Sequence, residues 1–473
     1  MVAIGSIRTW HPGRGPVTTW TASPASRAAM AAAAPDALPP STQQEQHLRT
    51  AYRVAATGQA APRLILASWR VEGWCDTAAM TAAINTHLRR HDTYHSAFDV
   101  TADAITRRTI DDPELLEFVP TALGFLETDE IRAHAETATP GTLEWDCFTF
   151  GVVQNPEHFV VYANIDHLHT DGSSALVIYR DIDRAYHGYL EAQLDGAHSA
   201  LPAAAAYRDF TARQHMQISA MTRDSRPVKD WVDFARDTGG DWPTFPLGLG
   251  EAASGPGGVV TVELLNAEQT AAFDSVCRAA GARFSGGVMA CAALADHRLA
   301  GTETFRTYSP SDTRGGDTTT VTAGWYANLF PVSVEVIAGD FSATARAAQK
   351  SFDANRNLSA VPMRRALELH PADELGVPMP VGPSMMLSLM DFHKTPDANA
   401  SGLGIYIDNL SHGDVNMWVT RNPDQTIVTV SFPDTAHARH SVHLYLGVLR
   451  SMFTTAAEPA AGRGYPQSAA LAG

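Results

Sequence analysis

Cysteine is scarce: the chain has four in 473 residues, Cys75, Cys147, Cys277 and Cys291, far apart and forming no CxxC pair. That spacing argues against a zinc knuckle and a disulfide frame, and predicts four reduced thiols serving as small core residues. No run of about 18 apolar residues occurs, so no integral membrane segment is expected. No basic-then-apolar leader opens the chain, and the expected location is the cytoplasm. Positive charge is also in short supply. Lys and Arg number 35 against 51 Asp and Glu, for a formal net charge of −16. That is the wrong sign for a nucleic-acid partner, and it says little about small substrates. Apolar residues make up 45% and charged residues 18%, a globular balance. The length predicts two domains.

Residues 1–40 are rich in Ala, Pro, Ser and Thr and end in Leu38-Pro39-Pro40. Poor periodicity and paired prolines predict an extended surface arm with one short helical turn at Ser26–Ala34. Ser41, with Gln44 three residues on, has the form of a capping box opening a helix through Ala55. Arg63–Val71 reads as a strand. Asp76–Arg90 reads as a helix, with Met80, Ile84 and Leu88 spaced by four. Glu144–Gln154 and His158–Ile165 read as a hairpin loosened by Pro156. A helix after Gly172, ending near Leu190, completes a first lobe over residues 41–194. Residues 195–206 lack an amphipathic pattern and read as a linker.

A second lobe is expected over 207–456. It opens with a helix at Tyr207–Met221 and a mobile loop at Gly239–Gly258, whose glycines lack the lysine and spacing of a P-loop. A strand at Val259–Leu265 and helices at Ala267–Ala280 and Phe284–Ala300 follow. Further strands are expected at Phe305–Ser309, Leu329–Glu335, Met385–Met390, Gly404–Leu410, Asn416–Thr420 and Thr426–Ser431. A helix at Ala436–Ala456 closes the lobe, and residues 457–473 read as a fraying tail. Strands and helices mix without strict alternation, which predicts α/β sandwich domains with mixed sheets.

The most informative stretch is Asp166-His167-Leu168-His169-Thr170-Asp171-Gly172. It follows the apolar run Phe159–Ile165, rich in β-branched and aromatic residues, which reads as a strand. Beyond it Ala175, Ile178, Ile182, Tyr186 and Tyr189 fall three or four apart, as on the buried stripe of a helix. A strand-to-helix junction places side chains at a cleft mouth and aims helical N–H groups at an anion. Spacing leaves three readings open. In the first, Thr170 or Asp171 caps the helix in a solvated turn. In the second, His167-x-His169-x-Asp171 binds zinc, although Gly172 stands where a metallo-hydrolase signature has its last histidine. In the third, His167 is a general base, Asp171 holds the loop, and Gly172 lets substrate approach the backbone.

The heptapeptide resembles the HHxxxDG motif of the condensation-domain superfamily, which includes chloramphenicol-acetyltransferase-like enzymes and polyketide-associated acyltransferases. Other stretches follow in that family's order. Arg90-His91-Asp92-Thr93-Tyr94-His95-Ser96-Ala97-Phe98 is similar to RHExLRTxF, and Ser41–Leu48 loosely resembles the opening SxAQxRLW helix. Tyr207-Arg208-Asp209-Phe210 resembles YxDYA. Gly324-Trp325-Tyr326-Ala327-Asn328-Leu329 resembles VGxFVNT, with Arg314 upstream. The resemblance runs from about residue 40 to 450 and is to free-standing actinobacterial members. There are departures: Asp166 replaces the first motif histidine, His95 replaces an arginine, and only Val361-Pro362-Met363 echoes the later motifs.

The resemblance implies two chloramphenicol-acetyltransferase-like α/β sandwich lobes in a V-shaped pseudo-dimer, with a tunnel between them. It implies an acyltransferase. An acyl or aminoacyl thioester arrives on the phosphopantetheine arm of a carrier protein, so no cofactor is bound by the enzyme itself. A small-molecule alcohol or amine enters from the other side. His167 would take the acceptor's proton, or hydrogen-bond the tetrahedral intermediate. The Gly172 N–H would be an oxyanion donor. Asp171 would pair with Arg314 and fix the loop, with Asp166 a structural neighbour. His169, Ser173, Trp325 and Asn328 are candidate channel residues, the last two also reading as a lobe-contact strand. His91 and Asp92 read as a structural hydrogen-bonded pair. The product is expected to be an ester, or an amide, of natural-product biosynthesis. The alternative is an acylated glycolipid or polyketide ester made by a Pap-type O-acyltransferase. Readings of other classes are a zinc metallo-hydrolase and a non-catalytic binding protein of the same fold.

Overall fold

The computed structural model describes residues 1–58, 61–195, 201–250, 255–316, 318–370, 372–378, 384–411 and 413–458. The first strands lie where a surface arm was expected. β1 (Ala3–Ser6) and β2 (Gly15–Ala22) are followed by α1 (Pro24–Ala32) and β3 (Pro35–Asp36). β2 is no arm, because Trp20 is fully buried and its indole N–H reaches the Thr81 hydroxyl at 2.8 Å. Pro16 sits at the start of β2, before the ladder to the strand Phe148–Gln154 begins at Val17, so its missing N–H costs no bond on that side.

The chain continues through α2 (Thr42–Ala55), β4 (Leu64–Glu72), α3 (Thr77–Arg90), β5 (Ser96–Val100), β6 (Ile105–Thr109), β7 (Phe118–Leu126) and α4 (Thr128–Thr137). Then come β8 (Phe148–Gln154), β9 (His158–Asp166) and α5 (Gly172–Asp195). β9 is buried on both faces. Phe159, Val161, Ala163 and Ile165 pack with Ile84, Leu88, Ile178 and Ile182 of α3 and α5. The alternate residues Val160 and Tyr162 pack with Trp10, Ile131 and Ala135 on the other side. A strand covered on both faces carries an unbroken apolar run, which here ends at Asp166.

The second half contains α6 (Tyr207–Ser219), α7 (Arg226–Thr238), β10 (Gly255–Asn266), α8 (Ala267–Ala279), α9 (Phe284–Ala300), β11 (Thr304–Asp312), β12 (Ala327–Glu335) and α10 (Phe341–Asn355). It ends with α11 (Met363–Glu368), α12 (Ala372–Leu375), β13 (Met385–Asp391), α13 (Pro396–Ala400), β14 (Gly404–Ile407), β15 (Leu410–Ser411), β16 (Val415–Arg421), β17 (Gln425–Pro433) and α14 (Ala436–Ala457).

Two seven-stranded mixed sheets result, ordered β1-β14-β4-β9-β8-β2-β7 and β12-β11-β13-β16-β17-β10-β15, beside a small β3-β6-β5 sheet. The lobes are therefore not the contiguous halves 41–194 and 207–456. β14 leaves the second half to pair antiparallel with β4 and parallel with β1 in the first sheet. The expected single strand Gly404–Leu410 is split between the two sheets. Asp408 lies at the break, accepting the Arg63 and Leu64 N–H groups at 2.7 and 2.9 Å. Gly255–Gly258, read as loop, are the start of β10. Of the expected linker, residues 196–200 lie outside the described residues, as do residues 459–473 of the expected tail. Cys75, Cys147, Cys277 and Cys291 are all free thiols. No helix among the described residues is long and apolar enough to cross a membrane.

The place of β2 in the first sheet makes a testable difference. Trp20→Ala is expected to cost about 3–5 kcal/mol, the usual range for a fully buried large aromatic, seen as a lower urea midpoint. A surface arm would leave that midpoint in place.

Candidate active site

β9 stops at Asp166 and α5 starts at Gly172, so residues 167–171 turn the chain at the end of the first sheet's central strand. The turn is held from several directions. The His167 N–H donates to the Arg63 carbonyl at 2.6 Å, and the His169 N–H to the Asp166 carbonyl at 3.0 Å. Gln44, the second partner of the Ser41 capping box, sends its amide to the Leu168 carbonyl at 3.0 Å. The capping box that opens α2 thus also fixes the loop.

His167 is half-buried and lies on the Trp325 indole, with ring centroids 3.7 Å apart and planes at 33°. Burial, and then the neighbouring His47, push its pKa down to about 4, against the pull of its own carbonyl and of Asp171 and Asp166. The imidazole is neutral at pH 7 and so able to accept a proton. The Gly172 and Ser173 N–H groups, in the first turn of α5, have no acceptor among the described residues. Gly172 has no positive φ, and a Cβ there would stand 3.4 Å from the Met390 Cε, an ordinary contact. The protein's own packing does not demand glycine at this place.

Asp171 faces the other lobe. Its buried carboxylate accepts from Arg314 Nη1 and Nη2 at 3.2 Å each, and from the Ser174 N–H at 2.8 Å. It also accepts the Tyr326 and Ala327 N–H groups at 2.9 and 3.0 Å. Burial alone would raise this carboxyl, but Arg314 and Ser174 outweigh it and hold the pKa below the ordinary value. Arg314 further donates to the Ser174 hydroxyl at 2.7 Å and lies 4.2 Å over the Tyr326 ring. Gly324 closes the network. Its φ is +153° and a Cβ would stand 2.5 Å from the Tyr207 ring, so only glycine fits.

His169 and the His91–Asp92 pair are placed differently from expectation. His169 is no channel residue: its ring is fully buried, with Thr93 Oγ1 at 3.2 Å and Phe148 edge-on at 5.4 Å. Asn328 spends its amide on the Ser359 carbonyl at 2.6 Å, tying β12 to the turn Arg356–Ala360. Ser173 is half-buried on the first turn of α5. His91 and Asp92 do not pair with each other. The His91 ring turns into the first lobe and meets Asp181 at 2.6 Å. Asp92 accepts the Tyr207 and Arg208 N–H groups at 2.6 and 3.0 Å, capping α6 of the second lobe.

The zinc reading loses its geometry, because His167 stacks on Trp325, His169 faces Thr93 and Asp171 faces Arg314. His87, His91 and Asp181 do converge, but the Arg90 guanidinium is already 2.9 Å from that carboxylate.

Three site residues escaped the sequence reading: His47, Arg63 and Thr142, which surround Asp166. His47 Nε2 is 2.8 Å from Asp166 Oδ1, while Arg63 Nη1 and the Thr142 hydroxyl donate to Oδ2 at 3.2 and 2.6 Å. Burial would raise the Asp166 carboxyl, but His47, Arg63 and Thr142 more than offset it, leaving it well below the ordinary range. The one available signal was His47 itself, on the same helix as the capping box.

Residues 65–365 match the family described as Condensation domain. Acyltransferase PapA3 of Mycobacterium tuberculosis is 38% identical over 468 residues, covering 97% of each chain. Trehalose-2-sulfate acyltransferase PapA2 of the same organism is 39% identical over 464 residues, covering 97% of this chain and 98% of the relative. The solved structure of PapA2 acyl transferase superimposes with a TM-score of 0.90, covering 97% of this chain and 100% of that one.

Buried imidazoles make stability depend on pH. His91, His167 and His169 have pKa values pushed down to about 4, chiefly by burial, whereas an unfolded imidazole titrates near about 6.5. Between those values the unfolded chain binds protons that the folded chain refuses, so stability falls as pH drops through the window. Below it, protonation of Asp166, Asp171 and Asp181, whose folded values are depressed, takes over. The urea midpoint is therefore expected to be lower at about pH 5 than at about pH 7. A midpoint flat across that range would contradict neutral buried histidines.

Proposed function

The chain belongs to the condensation-domain family and is an acyltransferase, and we propose that it is a Pap-type O-acyltransferase acting on a hydroxyl of a trehalose-class disaccharide. The observation that carries this is a neutral His167, stacked on Trp325, in a chain 39% identical over nearly its whole length to a trehalose-2-sulfate acyltransferase. These relatives favour the glycolipid reading over a free-standing condensation enzyme of an antibiotic pathway. Their acyltransferase class also displaces the metallo-hydrolase and the non-catalytic binding protein.

In this reading the donor is an acyl thioester on the phosphopantetheine arm of a carrier protein, and the enzyme needs no resident cofactor. The four free thiols suit a reducing cytoplasm where such a donor is made. His167 takes the hydroxyl proton as the oxygen attacks the thioester carbonyl. The resulting oxyanion meets the unused Gly172 N–H at the positive end of α5. Collapse forms the ester and expels the thiolate. Gly172 is explained by this approach of substrate, since nothing in the protein itself requires a residue without Cβ there.

Asp171 does not touch the reacting atoms; with Arg314 it sets the start of α5 against Trp325. Trp325 backs the His167 ring, and Ser173 stands beside Gly172 at the entrance to the first turn. Removing a general base costs about 10²–10⁴-fold in rate. His167→Ala is expected to lose at least about a hundredfold in ester formation from an acyl thioester and trehalose or trehalose-2-sulfate, with an unchanged thermal midpoint. An unchanged rate would overturn the assignment. Transfer to an amine with none to the disaccharide would overturn the O-acyltransferase reading.

A further inference from the structure

Asp166 stands where the motif of this family has its first histidine, and the structure gives that carboxylate an occupation. It is fully buried and accepts from Arg63, from Thr142 and from the Leu168 N–H at 3.0 Å, which leaves one firm partner to explain: His47 Nε2, at 2.8 Å. An ionised carboxylate only accepts, so Nε2 of His47 carries the proton between them. The ring's orientation is thereby fixed. The other nitrogen, Nδ1, has no hydrogen-bond partner among the described residues, and 13% of the side chain remains open to solvent. α2 thus delivers an imidazole beside the position where the motif lacks one.

That imidazole is aimed at the same platform as His167. The His47 ring stands edge-on to Trp325, with centroids 5.5 Å apart at 74°, while His167 lies on the same indole. The two imidazole centroids are 6.4 Å apart. Both imidazoles therefore lie against the same indole.

We propose that His47, oriented by Asp166, is a second catalytic acid–base group of this site, protonating the departing sulfur while His167 deprotonates the attacking hydroxyl. The inference rests on the thioester reading given above. The hydroxyl oxygen forms its bond to the acyl carbon and its proton passes to His167. The C–S bond breaks, its electron pair goes to sulfur, and sulfur takes the Nδ1 proton of the His47 imidazolium. Asp166, on Nε2, steadies the positive charge of that imidazolium before transfer, as a buried carboxylate does for a catalytic imidazole. His167 then returns its proton through solvent to His47, and the sum is hydroxyl plus thioester giving ester plus thiol.

The leaving group tests this. An alkyl thiolate is basic enough to profit from a proton, whereas the more acidic aryl thiol leaves without one. Rates are compared for octanoyl-N-acetylcysteamine and S-phenyl thiooctanoate, with trehalose as acceptor, in wild type and in His47→Gln, Asp166→Asn and His167→Ala. His47→Gln is expected to slow the alkyl donor by about 10²-fold, the low end for a general acid, and the aryl donor only a few-fold. His167→Ala should slow both donors alike. Asp166→Asn keeps the ring but not its orienting charge, and reads the same ratio should His47→Gln fail to fold. Equal losses on both donors from folded His47→Gln, or no loss on either, would overturn the proposal while leaving His167 and the acyltransferase reading in place. Wild-type enzyme that transfers from neither donor would overturn the thioester reading, and this proposal with it.

Discussion

A buried carboxylate must have its charge answered, and the way Asp171 is answered determines much of this molecule. Removing such a charge from water costs several kcal/mol, recovered only with good geometry and enough donors. Asp171 sits at the first turn of α5, in the first lobe. Its donors are Arg314 and the Tyr326 and Ala327 N–H groups of the second. The residue preceding that N–H pair is Trp325, the surface on which His167 lies. One satisfied charge therefore sets the start of α5 and the backing of the imidazole together. The network leaves little freedom, since Ser174 and Gly324 exchange hydrogen bonds of 2.8 and 3.1 Å around the same guanidinium.

The same interlocking is visible in the sheets. β1 and β14 come from opposite ends of the chain and pair with each other, and together they extend the first sheet beyond β4. The backbone of Val2 exchanges two hydrogen bonds with the Asn422 amide, at 3.1 and 3.0 Å. Asp92 of the first lobe caps α6 of the second. The two halves of the chain are thus joined by backbone as well as by side chains. A site assembled from both lobes is held within the small tolerance that acid–base chemistry requires.

Much of this was legible where local rules decide the outcome. The Ser41–Gln44 capping box, the helix of α3 beginning about Asp76 and the apolar run of β9 each declare themselves through a few adjacent residues. The resemblance of the motif then gave the acyltransferase class and the two-lobed fold. Local rules failed where partners are distant. β2 begins with Gly15-Pro16 and becomes a strand because β7 and β8 flank it. β14 reads as an ordinary strand of the second half, and nothing within its four residues says that it crosses to β4. α10 buries Thr344, Ala345, Ala348 and Gln349 beside Phe341, a face too small and polar to show as an apolar stripe. The directions of His169 and Asp92 depend on the turns that carry them, which spacing cannot supply.

The position of Asp166 shows what a motif read as letters leaves out. Read alone, an aspartate in place of histidine is a loss at the active site. In the folded chain Arg63 from β4's edge, Thr142 from the loop before β8 and His47 from α2 converge on it, each from a different part of the sequence. A carboxylate so surrounded stays ionised and holds whatever it bonds in one orientation. Here that is an imidazole within reach of the Trp325 platform. What matters to the chemistry is which groups face the reacting carbon and which protons they carry, and a residue contributed by a distant helix serves as well as one written into the loop.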